Sequence, residues 1–210
     1  MIAMTPVLER WSDDCPFWTA EQGEFFLTVP RFPTPEKVGA IMWALIWRSV
    51  TDDDLSITAA NAPEAIETYL TSADEEAYAP GGLRVISGDV VINPGCCVGL
   101  DEWRDWLGAL NGQPVDLGHD PDTWLESMGP VLRLRQDRDH LPPGELPGSS
   151  EQYLDIPRDA LPGLLRSVHQ DLVGFLAALR QWAQDIAPGL ADQLVSAVDR
   201  RLQISDPLDV

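Results

Sequence analysis

Leu83-Arg84-Val85-Ile86-Ser87-Gly88-Asp89-Val90-Val91-Ile92-Asn93 decides the fold class. Leu83–Ile86 and Val90–Asn93 are β-prone runs, and Ser87-Gly88-Asp89 between them is turn chemistry, so the stretch predicts a hairpin and an antiparallel pair of strands. Pro80-Gly81-Gly82 makes a turn before it, and Pro94-Gly95 breaks the run after it. Outward from this hairpin the pattern changes to helical periods on both sides.

Downstream, Leu100, Trp103, Trp106, Leu107 and Leu110 share one side of a predicted helix that Asn111-Gly112 ends. Residues 114–121 read as a loop, and Val131–Arg135 as a strand with Leu132 and Leu134 inward. Asp139–Ser150 is rich in Pro and Gly and reads as a linker. Then comes the longest periodic pattern: Leu161, Leu164, Leu165, Val168, Leu172, Phe175, Leu176, Leu179, Trp182, Ala183 and Ile186. Pro188-Gly189 interrupts it, and Leu190, Leu194, Val198 and Leu202 form a second stripe, predicting an antiparallel helical hairpin.

Upstream, Asn61 and Pro63 open a helix with Ile66, Tyr69, Leu70 and Ala73 inward, and Leu55–Thr58 reads as a short strand. Thr34-Pro35-Glu36 starts a helix that runs to about Val50: Thr34 caps it, Pro35 suits its first turn and Glu36 meets its positive end. Its apolar residues occupy two faces, so it should be covered on both. Glu24–Val29 reads as a strand. Strands mixed with helices, without strict alternation, give an α+β fold: a mixed or antiparallel sheet of about four to six strands packed by helices, with the C-terminal hairpin covering it. The expectation is a single domain over residues 1–210, with residues 157–206 as a possible helical subdomain.

Charge is the outstanding feature of the composition. The 210 residues carry 34 acidic and 14 basic side chains, a net −20. Residues 51–130 hold 16 of the acids against Arg84 and Arg104 alone. Such a field repels nucleic acid and anionic membranes and speeds encounter with a basic protein. It also simply keeps a protein soluble. Lys37 is the single lysine beside 13 arginines, which reads as the codon bias of a GC-rich bacterial genome. Three cysteines, two of them adjacent, do not form a disulfide framework and suit a reducing compartment. Met1–Trp11 lacks a basic segment followed by an apolar run, and Val38–Trp47 is too short to span a bilayer. The expected location is the cytoplasm.

One segment concentrates chemistry-bearing residues: Pro94-Gly95-Cys96-Cys97-Val98-Gly99-Leu100-Asp101-Glu102-Trp103-Arg104-Asp105-Trp106, followed by Gly118-His119-Asp120-Pro121. A cysteine before a helix N-terminus has a depressed thiol pKa, so Cys96 or Cys97 could be a nucleophile, with His119 as its base and Asp120 or Asp122 orienting the imidazole. Cys96, Cys97 and His119 are also metal-ligand types, but adjacent cysteines rarely both reach one tetrahedral ion, and no C-x-x-C occurs. Against both stands the structural alternative, a tight connection whose small cysteines are buried hydrophobes and whose Asp101 and Glu102 stabilise a helix start. No catalytic site, metal or cofactor is assigned on this pattern. His140 falls in the linker and His169 beside the apolar stripe, as solvated or helix-surface residues.

The Pro94–Trp106 segment with Gly118–Pro121, and more loosely Leu172–Trp182, resembles a group of actinobacterial proteins that carry Pro-Gly-Cys-Cys-x-Gly-Leu-x-x-Trp-Arg-x-Trp and a following Gly-His-Asp-Pro; the resemblance implies no particular activity. In composition the chain is similar to immunity proteins that neutralise basic bacterial toxins. That likeness implies a binding protein whose partner is a basic toxin or nuclease. The residues expected to meet it are Asp52, Asp53, Asp54, Asp74, Glu75, Glu76, Asp101, Glu102 and Asp105, with Glu64, Glu67, Asp116, Asp120, Asp122 and Glu126 nearby if one face forms, and exposed tryptophans as anchors. The alternatives are a thiol-dependent enzyme centred on Cys96 or Cys97 with His119 and Asp120, and a phage or secretion-system accessory protein using the C-terminal hairpin as its contact surface.

Overall fold

Gly88 holds φ +59 at the tip of the hairpin that anchors the sequence reading. The left-handed turn sets Ser87 opposite Val90, so β3 (Gly81–Ser87) and β4 (Val90–Ile92) pair antiparallel. The structure, a computed structural model, describes residues 1–72, 79–137 and 151–208. Among these residues seven strands divide between two sheets, of order β2-β1-β3-β4 and β5-β6-β7, with β1 at Ile2–Glu9, β2 at Phe26–Thr28, β5 at Thr123–Met128, β6 at Val131–Gln136 and β7 at Gln152–Pro157. Among the described residues five helices accompany them: α1 (Pro35–Ile46), α2 (Ala62–Ser72), α3 (Trp106–Leu110), α4 (Leu161–Ile186) and α5 (Ala191–Leu202). The class is α+β, and α4 with α5 is the C-terminal hairpin. No helix among the described residues is long and apolar enough to cross a membrane.

The chain separates into two compact units. One comprises Met1–Val7, Pro80–His169 and Leu208–Val210; the other comprises Leu8–Ala79 and Gln170–Pro207. Both β1 and α4 contribute residues to each unit.

In the first unit, β5, β6 and β7 pair antiparallel, with Leu132 opposite Ile156 and Leu134 opposite Leu154. Alternation along β6 and β7 buries these four side chains, while Arg133 and Asp155 lie across from each other on the other face. Their side chains form a two-pronged ion pair at 2.7 and 2.8 Å, and the Arg133 guanidinium lies 4.4 Å from the Tyr153 ring centroid. Polar side chains knit β4 to this sheet. Gln136 Nε2 donates to the Asn93 carbonyl at 2.7 Å and to Thr123 Oγ1 at 2.8 Å. Gln152 Nε2 donates to the Val91 carbonyl at 3.1 Å and to Gln136 Oε1 at 3.0 Å. The amide protons of both glutamines are thus used, which makes burial of Gln136 tolerable.

The second unit is built on α1, whose Thr34 cap accepts from the Lys37 N–H at 3.2 Å. Val38–Ile46 are all buried, as expected for a helix covered on two faces. The Trp18 indole donates to the Gly39 carbonyl at 2.8 Å, and a Cβ at position 39 would overlap the Thr19 carbonyl oxygen, so this contact requires glycine. Trp18 also meets Trp182 edge-on at 5.1 Å and Trp43 at 6.4 Å. On α2, Ala65, Ile66 and Tyr69 are buried, and Arg201 of α5 donates to the Tyr69 hydroxyl at 3.2 Å.

Several elements differ from the sequence reading. Leu55–Thr58 is no strand; a single bridge, Thr51 to Ile57, closes a loop there. The helix expected over Leu100–Leu110 is a 3-10 segment, Leu100–Asp105, followed by the single turn and a half of α3. The linker at Asp139–Ser150, His140, Ala73 and the acids Asp74, Glu75 and Glu76 lie outside the described residues.

Candidate functional site

The backbone brings the Cys96 region and the His119 region together before any side chain is considered. Cys96 N–H donates to the His119 carbonyl at 2.5 Å and His119 N–H returns the bond to the Cys96 carbonyl at 3.1 Å, a bridge of antiparallel type. Gly95 N–H adds a bond to the Leu117 carbonyl at 2.9 Å. Two glycines permit this approach. A Cβ on Gly95 would lie 2.6 Å from the Gly118 carbonyl carbon, and one on Gly118, whose φ is +81, would overlap the Cys96 carbonyl oxygen. The Pro-Gly-Cys-Cys and Gly-His-Asp-Pro motifs are therefore two halves of one structure.

The side chains converge as well. Sulfur of Cys96, sulfur of Cys97 and a ring nitrogen of His119 all lie within 4.8 Å of one another, and all three residues are exposed. The two sulfurs are 2.8 Å apart and form no disulfide. Cys97 has φ +70, which turns its side chain to the same side as that of Cys96. Successive residues in extended backbone point to opposite faces, so neighbouring cysteines ordinarily diverge; the left-handed residue removes that alternation. Asp120, at φ +48, accepts from or shares a proton with His119 Nδ1 at 3.1 Å. Left-handed conformations at non-glycine residues cost about 1–2 kcal/mol each and persist where surrounding bonds impose them.

One part of the structural alternative and one part of the nucleophile reading are altered. The cysteines are surface thiols, not small buried hydrophobes. The chain beyond them enters the 3-10 segment rather than a long α-helix, so no extended macrodipole faces the sulfurs. Asp122 is exposed and its backbone carbonyl accepts from Asp137 N–H at 3.0 Å. Cys15 is half-buried in the other unit, where burial raises its thiol pKa. His169 stacks on Trp103 at 6.0 Å between ring centroids and is half-buried, more enclosed than a helix-surface residue.

Four acids of the first unit lie near one another. Burial raises the Glu102 carboxyl above its ordinary value, the Gly99 N–H that it accepts at 3.4 Å opposes this, and Asp101, Asp105 and Asp116 each add to the rise by repulsion. Asp101, Glu102 and Asp105, from the sequence reading, therefore share one patch with Asp116, which itself accepts from Gly118 N–H at 3.0 Å. Glu126 lies on the sheet, paired with Arg135 at 2.9 Å. A cavity of about 20 Å³, room for one water, lies among Leu83, Ile92, Trp103, Trp106, Glu102 and Asp116.

Asp52, Asp53 and Asp54 belong to the second unit. Asp52 is committed to its own loop: its Oδ1 accepts from Asp54 N–H at 3.1 Å and Ser56 N–H at 2.8 Å. That turn displays Asp53, Asp54 and a Leu55 that is 66% exposed. The tryptophans are mostly core: Trp18, Trp43, Trp103, Trp106 and Trp182 are buried, and only Trp11 is exposed. Trp11 stacks on Trp47 at 6.1 Å beneath the Arg48 guanidinium.

No family model matches this sequence, and no curated protein or solved structure is found to resemble it.

Proposed function

We propose that the chain is an acidic binding protein, of the inhibitor or immunity kind, whose partner is a basic protein such as a toxin or nuclease. The observation that carries this reading is the placement of Asp101, Glu102 and Asp105 on one short 3-10 segment, with Asp116 in the loop that returns to Gly118 near enough to act on the Glu102 carboxyl, which burial raises first and these neighbours raise further. Clustered carboxylates outnumber the one guanidinium, Arg104, on the same segment, and a cationic partner complements them. The net charge of −20 extends the attraction beyond contact distance. The Asp53-Asp54-Leu55 turn offers a second acidic element with an exposed apolar tip, the combination that gives both steering and a buried anchor.

Affinity capture with the purified chain tests this, using Asp101→Lys/Glu102→Lys/Asp105→Lys as the comparison. A basic protein held by the wild type, released by salt and bound at least tenfold more weakly by the reversed variant is the expected result. A specific partner that is itself acidic, or that binds the reversed variant undiminished, would refute the reading.

A thiol-dependent enzyme is the second reading, favoured by the meeting of Cys97, Cys96, His119 and Asp120. Iodoacetamide labelling of the native, reduced protein at neutral pH tests it. Thiols at Cys96 and Cys97 that stay unlabelled would end it.

A further inference from the structure

We infer that Cys96, Cys97 and His119 form a binding site for a soft divalent ion of the zinc type, with two thiolates and one imidazole as protein ligands and an open fourth position. The starting point is geometric: three ligand atoms within 4.8 Å, from two segments that the Cys96–His119 bridge holds in register. Zinc takes Cys sulfur and His nitrogen in tetrahedral sites, including three-ligand sites of Cys₂His composition that keep a place for water. The ligand set is soft, so it discriminates against calcium and magnesium, which take oxygen. The abundant carboxylates of this chain are not the ligands.

The second observation is the partner of the imidazole. Metal-bound histidines almost always present their other ring nitrogen to a carboxylate or carbonyl, which fixes the tautomer and raises ligand basicity. Asp120 occupies that place on His119 Nδ1 at 3.1 Å, so the tautomer that donates to Asp120 leaves Nε2 with the lone pair. The third is the left-handed backbone at Cys97 and Asp120, the residues that turn the second sulfur and the carboxylate toward the group.

The adjustment required is small. Zinc–sulfur bonds of about 2.3 Å at a tetrahedral angle set two sulfurs about 3.8 Å apart. The thiols stand at 2.8 Å, and both are exposed, so modest side-chain rotation supplies the difference. On binding, each thiol gives its proton to solvent, no electron moves, and the ion exchanges water ligands for two thiolates and one imidazole. The negative field of the protein draws a cation toward the site from a distance. This inference is independent of the partner-binding proposal, which concerns the carboxylates.

The test uses the full chain, reduced and kept free of oxygen, with Zn²⁺ competed against a chromophoric chelator and Co²⁺ as a spectroscopic substitute. One ion per chain, a thiolate-to-cobalt charge-transfer band, and zinc protection of Cys96 and Cys97 from alkylation are expected. Cys96→Ser, Cys97→Ser and His119→Gln should each weaken binding more than tenfold. Asp120→Asn should weaken it about 10–100-fold, the usual effect of removing a ligand's carboxylate partner. Cys15→Ser should bind as the wild type does. Circular dichroism checks that each variant is folded. Absence of saturable binding, a cobalt spectrum without thiolate charge transfer, or full affinity in Cys96→Ser/Cys97→Ser would overturn the assignment.

Discussion

The side-chain amide of Gln136, 4% exposed, donates to the backbone carbonyl of Asn93 at 2.7 Å. This bond ties β6 to the last residue before Pro94-Gly95-Cys96, so the strand that precedes the thiols is held from beneath by a buried polar group. Asn93 is held on its other side by Arg84, whose Nε donates to Asn93 Oδ1 at 2.7 Å. Replacing Gln136 by leucine roughly keeps the volume and removes one hydrogen bond from each of three partners: the Asn93 carbonyl, Thr123 Oγ1, which keeps its bond to the Pro121 carbonyl, and Gln152 Nε2, which keeps its bond to the Val91 carbonyl. A buried group left without its bond costs about 1–3 kcal/mol. Gln136→Leu is expected to lose about 2–4 kcal/mol in urea denaturation, and the Cys96 amide should exchange faster with solvent. A loss under about 0.5 kcal/mol would mean that the network contributes nothing net.

Gly118→Ala tests the close approach that assembles the thiol–imidazole cluster. Gly118 and Gly129 both have positive φ, +81 and +70. A Cβ at Gly129 meets nothing within 4 Å, whereas one at Gly118 overlaps Cys96 and Gly95. Gly129→Ala should therefore cost only the left-handed penalty, about 1–2 kcal/mol. Gly118→Ala should cost more than that and should also separate Cys96 from His119. Thermal melts of the two variants, side by side, decide the matter: equal losses would show that the segments have room to part.

The regular elements that are legible in the sequence have strong periodicity or explicit punctuation. Leu161–Ile186 forms α4 because one apolar stripe recurs through the whole helix, and Thr34-Pro35-Glu36 marks the start of α1 through its cap and its proline. Ile2–Glu9 escapes a sequence reading for two physical reasons. Pro6 interrupts it, and Pro6–Glu9 are all buried, so the alternation that marks a half-exposed strand is missing. In Thr123–Met128 the side chains from Trp124 to Glu126 are all half-buried, with no inward period. Gln152–Pro157 does alternate, with Leu154 and Ile156 inward, but its polar outer positions and its place after the Pro- and Gly-rich stretch hide it.

For the site, the motifs are legible and their meeting is not. Spacing along the chain does not show that Gly95 and Gly118 let two loops exchange hydrogen bonds, nor that Cys97 adopts positive φ. The two glycine-flanked motifs are the available signal. Asp101, Glu102 and Asp105 gather because they sit on one short 3-10 segment. Asp116 joins them only through the loop that returns toward Gly118.

Arg158 gives a stability test away from the cluster. Its Nη1 donates to the carbonyls of Ala109 at 2.7 Å and Leu110 at 3.1 Å, and its Nε donates to the Gly129 carbonyl at 3.3 Å. It thus closes the C-terminal end of α3 and clamps the β5–β6 turn. Arg158→Met is expected to cost about 1–3 kcal/mol, since hydrogen bonds to charged groups exceed neutral ones in value. Arg158→Lys should recover only part, because an ammonium cannot reproduce the planar fork that reaches both helix end and turn. Full recovery by lysine would show that charge alone matters.

Glu102 and Asp155 should respond to pH with opposite sign. The Glu102 carboxyl is raised above its ordinary 4.5, first by burial and then by Asp101, Asp105 and Asp116. The folded state therefore binds that proton more tightly than the unfolded state, so the ionised form destabilises the fold. The penalty is complete above the folded pKa and disappears as pH falls through it toward 4.5. Glu102→Gln keeps an acceptor for Gly99 N–H and removes the charge, so it should raise Tm at neutral pH and leave it unchanged in acid. Asp155 is lowered from its ordinary 3.8, chiefly by its hydrogen bonds to Arg133. Its contribution is present above 3.8 and is lost as pH drops through the folded value. Asp155→Asn should therefore lower Tm at neutral pH, with the difference closing below 3.8. Melting curves of both variants across the acid range check the pair. A Glu102→Gln protein less stable than wild type at neutral pH would mean that the carboxylate's bond to Gly99 outweighs its desolvation and the repulsion of its three neighbours.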